Sequence, residues 1–189
     1  MPKPVSITKA LIDDAAVAMV RQDGLDALTA RNIAQSLHCS TQPIYKVYGS
    51  MEKLKESTMN TLARLMMQCI MSNQKTGSAF LNSGLGYIHF AQTEKNLFQL
   101  LCLQNKNHNI LKADVNTKPI RTLMEQELED VPLPQNARDN IFLQTMIFTY
   151  GLASLAFLDQ LYLNEDEISA LLEKTFKGYI TWELEGENV

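Results

Sequence analysis

The chain has 189 residues, 46 % of them hydrophobic and 20 % charged, with 17 Lys and Arg against 21 Asp and Glu for a formal net charge of −4. That composition is too apolar for a disordered chain, and the length holds a core without staples while limiting the chain to one or two domains. The acidic sum does not exclude nucleic acid as a partner, because net charge reports a total and not a distribution.

The chain reads as helices from end to end, with prolines only at breaks and no sustained period-two alternation. The first helix is expected over Ile7–Asp23, stopped by Gly24 in a left-handed position. Thr29 is placed to cap a short second helix whose packing residues are Ile33, Ala34 and Leu37. Ser40 is placed to cap a third, through Val47, and Ser50 a fourth, from Met51 to about Ser72. A loop at Asn73–Ser78 precedes a helix ending near Glu94, and the apolar segment Leu97–Leu103 follows. Asn105–Asn116 is polar and reads as irregular. Thr117–Glu129 is helical, Val131–Pro134 is a hard break, and a long helix runs on to about Tyr162. Asn164 and Glu167 have the spacing of a capping box at the start of the last helix, which carries Ile168, Leu171, Leu172, Phe176, Tyr179 and Ile180 on one stripe. The expected fold class is all-α, with about nine helices.

Leu28–Leu54 carries the chemistry. Two short capped helices separated only by His38, Cys39 and Ser40 must cross steeply, as in a helix-turn-helix. The second of them is expected to keep Ile44 and Val47 for the core and to expose Thr41, Gln42, Tyr45, Lys46 and Tyr48. Hydroxyls, an amide and a lysine at the start of a short helix suit a major groove, and the helix N-terminus suits phosphate. Pro43 is tolerated because it falls in the first turn.

In these residues the chain resembles the DNA-binding domain of the TetR family of bacterial transcription repressors. The likeness rests on the Ile7–Gly24 pattern, Leu28-Thr29, Ile33-Ala34, Ser40, Ile44-Tyr45, Tyr48 and Glu52…Leu54. It implies a helix-turn-helix domain at residues 1–50, and a helical domain at 51–189 for ligand binding and dimerisation. It further implies a homodimer on a palindromic operator in double-stranded DNA, released by an inducer. Carried over by position, the DNA-contacting set is Thr29, Ser40, Thr41, Gln42, Tyr45, Lys46, Tyr48 and Lys53, with Tyr48, where the family usually has Phe, either adding a phosphate contact or packing. His38 stands where the family commonly has glycine, so a positive φ is expected at a residue that tolerates it. Met51 stands where the family commonly has a phosphate-contacting lysine, which leaves Lys53 or Lys55 to take that part.

Beyond Glu56 there is no phosphate-binding glycine loop, no HExxH, no paired CxxC and no GxSxG, so no enzyme is expected. His89, His108, Cys69 and Cys102 lack metal-ligand spacing; no metal and no cofactor are expected. Asp13, Asp14, Glu125, Glu127 and Glu129 read as solvated faces. Tyr87–Ala91 and Asn96–Leu101 resemble the family's regulatory helices. A largely apolar ligand pocket is expected from Tyr87, Phe90, Phe98, Leu101, Cys102, Met124, Phe142, Met146 and Tyr150. The last two helices are the expected dimer interface, through Gly151, Ser154, Leu158, Phe176 and Tyr179. A second reading of the same pattern is an all-α interaction protein of this architecture without operator recognition.

No apolar run follows Lys3, and Ala15–Val20 is short and flanked by Asp13, Asp14 and Arg21, so no signal peptide is expected. Three cysteines (Cys39, Cys69, Cys102), odd in number and widely spaced, suit reduced thiols in a cytoplasmic protein. The uncharged run Ile141–Leu158 is about as long as a membrane span, roughly 18 residues. Gln144, Thr145, Thr149, Tyr150 and Ser154 interrupt it, so a core or subunit interface is expected there and no membrane. Through Lys55 the chain has seven basic and five acidic residues; the remainder has ten and sixteen. A mildly basic head on an acidic body is the expected distribution.

Overall fold

The computed structural model describes residues 7–104 and 117–186, and every regular element among them is helical. In chain order these are α1 (Lys9–Asp23), α2 (Ala30–Ser36), α3 (Gln42–Tyr48), α4 (Met51–Met71), α5 (Ala79–Thr93), α6 (Lys95–Phe98), α7 (Lys118–Glu127), α8 (Gln135–Phe157) and α9 (Glu165–Gly186). A 3-10 turn at Leu25–Ala27 follows α1, and a π-helical segment, Gln99–Leu103, extends α6. The segment Asn105–Asn116, His108 included, lies outside the described residues.

The chain forms two compact units. The first takes the described residues to Leu65 together with those from Asn96 to Gln104; the second takes the rest. The division between these compact units falls inside α4. The reason is that Leu54 and Leu62, on the first half of α4, are fully buried in the small N-terminal core.

Within the first unit, side-chain caps and left-handed residues set the helix ends. Thr8 Oγ1 accepts from the Leu11 amide (3.3 Å) and Thr29 Oγ1 from the Asn32 amide (3.1 Å). Gly24 has φ +80°, which ends α1, and the Asn96 side-chain amide donates to the exposed carbonyls of Arg21 and Gln22 (3.0 and 2.9 Å). His38 takes φ +51°, with its amide on Gln35 O (3.2 Å) and the Cys39 amide on Ala34 O (2.9 Å). That is a Schellman end built on a residue other than glycine. The start of α3 departs from the expectation. Ser40 does not cap it; the helix opens at Gln42 after Thr41 in helical geometry, with no side-chain cap bond. Five residues, Leu37–Thr41, therefore separate α2 from α3.

The second unit is an α-helical layer around α5, which is buried along most of its length. Ser78 Oγ accepts from the Leu81 amide (2.9 Å), and Glu127 accepts from Ser78 Oγ (2.7 Å) and the Phe80 amide (2.8 Å). Glu127 is thus a cap for α5, and Glu125 pairs with Arg138 (3.4 Å); neither is merely solvated. Gly86 of α5 lies so close to α4 that a Cβ there would stand 2.2 Å from Ile70 O. Asn164 and Glu167 form the reciprocal box, with the Glu167 amide on Asn164 Oδ1 (3.0 Å) and the Asn164 amide on Glu167 Oε2 (2.8 Å).

α8 stops at Phe157, short of Tyr162. Asp159 adopts φ +55°, with its amide on Ala156 O and the Gln160 amide on Leu155 O, a second Schellman end. Among the described residues α8 is the one helix long and apolar enough to cross a membrane by length and composition. Its Ile141, Phe142, Thr145, Thr149, Leu152, Ala153 and Ala156 are buried against the unit's own core.

Candidate nucleic-acid interface and apolar cavity

α2 and α3 turn their apolar sides inward: Ile33, Ala34 and Ile44 are buried. The opposite face presents Thr29, Arg31, Asn32 and Gln35 from α2 and its cap, and Thr41, Gln42, Tyr45 and Lys46 from α3, all exposed. Ser40 is exposed in the turn before them. Two α3 residues exchange the places expected of them. Val47 is exposed, whereas Tyr48 is buried, because Ile44 and Tyr48 lie four apart on one face and the Tyr48 hydroxyl donates to Asp13 of α1. Lys9 completes this cluster, 2.7 Å from Asp13 and 5.1 Å from the Tyr48 ring centroid. The Asp13 carboxylate, then the Tyr48 hydroxyl, raises the Lys9 ammonium above its ordinary value. Tyr48 thus fastens the end of α3 to α1 and is not on the exposed face, and Asp13 is not a free solvent-facing carboxylate.

A shallow cleft joins the starts of three helices. Thr29, Arg31, Thr41, Tyr45, Met51 and Lys55 line it, over Leu28 and Ala30. Lys55 sits one turn after Met51 on the same face of α4, while Lys53 is exposed outside this cleft. Sequence reasoning misses Arg31 and leaves Lys55 only as an alternative to Lys53. The signals in the sequence are the position of Arg31 two residues after the Thr29 cap and the four-residue step from Met51 to Lys55. Ser50 Oγ accepts from the Lys53 amide (3.3 Å), which fixes the start of α4. Glu52 is held below the usual carboxylate range by its own backbone amide and by Ser50.

The second unit contains a narrow apolar cavity of about 40 Å³. The last turns of α4 (Met66, Met67, Ile70), α5 (Phe80, Ser83, Gly84, Tyr87), α7 (Ile120) and α8 (Thr145, Met146, Thr149, Tyr150) wall it, with Leu172 of α9. Tyr87, Met146 and Tyr150 come together there. The other six expected pocket residues do not. Phe90, Met124 and Phe142 face the packed core of the second unit, and Phe98, Leu101 and Cys102 belong to the first unit. Helical spacing alone does not separate a wall from a filled core.

Of the residues expected at a dimer contact, Gly151 and Leu158 are exposed, and Ser154 and Tyr179 are half-buried. Phe176 is core: its ring lies 5.0 Å from that of Phe80, on the stripe with Ile168 and Leu172. Leu143, Ile147 and Leu155 extend the exposed apolar side of α8, and Gly178 and Trp182 lie exposed on α9. Among the described residues no group of His, Cys, Asp and Glu is placed to hold a metal ion.

No protein-family model matches the sequence, and no curated protein matches it. Solved structures do. A TetR-like transcriptional regulator from Rhodococcus sp. RHA1 aligns over 92 % of this chain and 95 % of its own, with a TM-score of 0.56 at 14 % identity. A TetR family protein from Vibrio parahaemolyticus aligns over 89 % and 96 %, with a TM-score of 0.58 at 17 % identity. At such identities the likeness concerns the fold. The chain has the all-α fold of TetR-like transcriptional regulators.

Proposed function

We propose that this chain is a cytoplasmic, sequence-specific DNA-binding transcription regulator that acts as a homodimer and is released from its operator by a small, largely apolar ligand. The observation that carries this reading is the exposed face of α3, with Thr41, Gln42, Tyr45 and Lys46 together beside the Thr29–Arg31–Lys55 cleft. Side chains at the start of α3 read base edges, while the cleft receives backbone phosphate. Lys55, not Lys53, takes the phosphate contact that Met51 lacks. The Tyr48–Asp13–Lys9 cluster, in which Tyr48 is buried and Lys9 exposed, keeps α3 at a fixed angle on α1, so its exposed side chains meet the groove together.

The dimer forms through α8 and α9. Leu143, Ile147, Gly151, Ser154, Leu155 and Leu158 share a face of α8 about 120° wide at 100° per residue. A face of this width left open on one chain is covered by its copy. The ligand enters the cavity of the second unit. A drug-sized molecule needs roughly 300 Å³ or more, so entering means displacing the wall, and Met66, Met67 and Met146 supply pliable side chains for it. Met66, Met67 and Ile70 are the end of the same helix whose beginning carries Met51 and Lys55, so a wall shift acts on a continuous helix.

The test is selection from a random duplex pool, followed by a salt titration on the recovered site. An inverted repeat whose affinity falls linearly with the logarithm of salt concentration is expected. No enriched motif, or salt-independent binding, overturns the proposal.

A further inference from the structure

The cavity contains a feature that defines the chemistry of its ligand. Thr145 is 4 % exposed and lines the cavity, and its hydroxyl finds no hydrogen-bond partner among the described residues. A buried hydroxyl without a partner is costly, so such a group marks a place where something else completes the bond. Among the described residues no Asp, Glu, Lys, Arg or His lines the cavity. Two cations of α7 follow wall residues: Lys118, after Thr117, is exposed, and Arg121, after Ile120, is engaged by Asp139 (2.6 Å) and stacked 4.6 Å over the Phe142 ring, although its Nε has no hydrogen-bond partner among the described residues. A carboxylate or phosphate in this cavity would lose its hydration and gain no counter-charge. A wholly apolar molecule would leave the Thr145 hydroxyl unanswered.

We infer that the ligand is uncharged, with an apolar body and one hydroxyl or carbonyl group that bonds to Thr145. Thr145 sets this preference as a binding residue; Met66, Met67 and Met146 accommodate the body. The inference rests on the proposed ligand role of the cavity, and it is tested on the DNA-free protein so that the two stand or fall separately.

The probes are phenol, its near-isostere toluene, and benzoate, each titrated into full-length protein labelled at the methionine methyl groups and followed by NMR. Phenol is expected to shift the Met66, Met67 and Met146 resonances and to bind about three- to tenfold more tightly than toluene, the effect of one net hydrogen bond. Benzoate is expected to bind more weakly than either. Thr145→Val, which keeps the shape and removes the hydroxyl, should bring the phenol-to-toluene ratio to about one and raise the melting temperature. Thr145→Ser should keep the ratio and serves if the valine variant does not fold. Absence of phenol binding at these methyls, preference for benzoate, or an unchanged ratio in Thr145→Val overturns the inference. Phenol binding that leaves operator affinity unaltered supports the ligand class and counts against ligand-driven release.

Discussion

Gly86→Ala is expected to loosen the second unit markedly, and the neighbouring Gly84→Ala to tighten it. A Cβ on Gly86 would stand 2.2 Å from Ile70 O and 2.8 Å from Ile70 C and Cα. Ordinary contact begins near 3.4 Å, so the α4 and α5 backbones must part by about 1 Å, with no flexible side chain to absorb it. Overpacking of this kind costs up to about 3 kcal/mol, and the better helix propensity of alanine returns about 1 kcal/mol. The net loss is about 2 kcal/mol. At Gly84 the added methyl would meet Leu172 Cδ1 at 3.5 Å and Thr149 Cγ2 at 3.7 Å, ordinary contacts that fill part of the cavity. There the helix-propensity gain of up to about 1 kcal/mol remains. Urea unfolding read by circular dichroism separates the two: with a slope of about 2 kcal/mol/M the Gly86→Ala midpoint falls by about 1 M while the Gly84→Ala midpoint rises. A Gly86→Ala midpoint equal to the parent would refute the close approach of α4 and α5, and with it the geometry of the cavity wall, since Ile70 belongs to that wall.

Three further outcomes follow from the same geometry. Lys55→Ala is expected to reduce the salt slope of operator binding by about 0.9 for each phosphate that the side chain neutralises, whereas Lys53→Ala changes it less; the reverse order would move the phosphate-binding role out of the Met51–Lys55 cleft. Ile147→Glu, in the middle of the open apolar face of α8 and 51 % exposed, should shift the chain to a monomer in light scattering without lowering its helix content; an unchanged dimer would place the interface elsewhere. Asp139 is held below the usual carboxylate range by Arg121 and then by Gln135, so its contribution to stability is complete above its unfolded value of 3.8 and is lost as pH falls through the lower folded value. Asp139→Asn should therefore lower the urea midpoint more at pH 7 than at pH 2.5, and equal losses at both would exclude the ion pair as the cause.

Helix ends were the most legible part of the sequence, because each is a contract between a few neighbours. Gly24, the Thr29 cap, the positive φ at His38 and the Asn164–Glu167 box all involve residues within five positions of one another. What escaped was decided across the chain. Tyr48 turns inward because Asp13, 35 residues away, accepts its hydroxyl. Phe98, Leu101 and Cys102 have the same helical spacing as a pocket wall, yet they fall in the first unit with Asn96, whose amide reaches the end of α1. Glu127 looks solvated until Ser78 and Phe80 donate to it. Asp159 stops α8 by a backbone choice that no glycine or proline announces.

The distribution of ion pairs accounts for how an acidic chain would keep a surface for DNA under the proposed function. In the second unit Lys75 is paired with Asp166 and Glu165, Lys95 with Asp159, Arg121 with Asp139, Arg138 with Glu125, and Lys177 with Glu173. A cation already facing a carboxylate attracts few anions and releases few when DNA arrives. In the first unit Lys9 is spent in the same way on Asp13. Among the described residues Arg31, Lys46, Lys53, Lys55, Arg64, Lys118 and Lys174 have no ion-pair contact, Lys55 acting on Glu52 only at longer range, and Arg31 and Lys55 share one cleft with the hydroxyl groups of Thr29, Thr41 and Tyr45. In the proposed dimer, the four of these cations on α2, α3 and the start of α4, present twice, would meet more phosphate than a head charge of +2 suggests. Under the proposed function, affinity for DNA would depend on Arg31, Lys46 and Lys55, the unpaired cations on or beside the exposed face of α3.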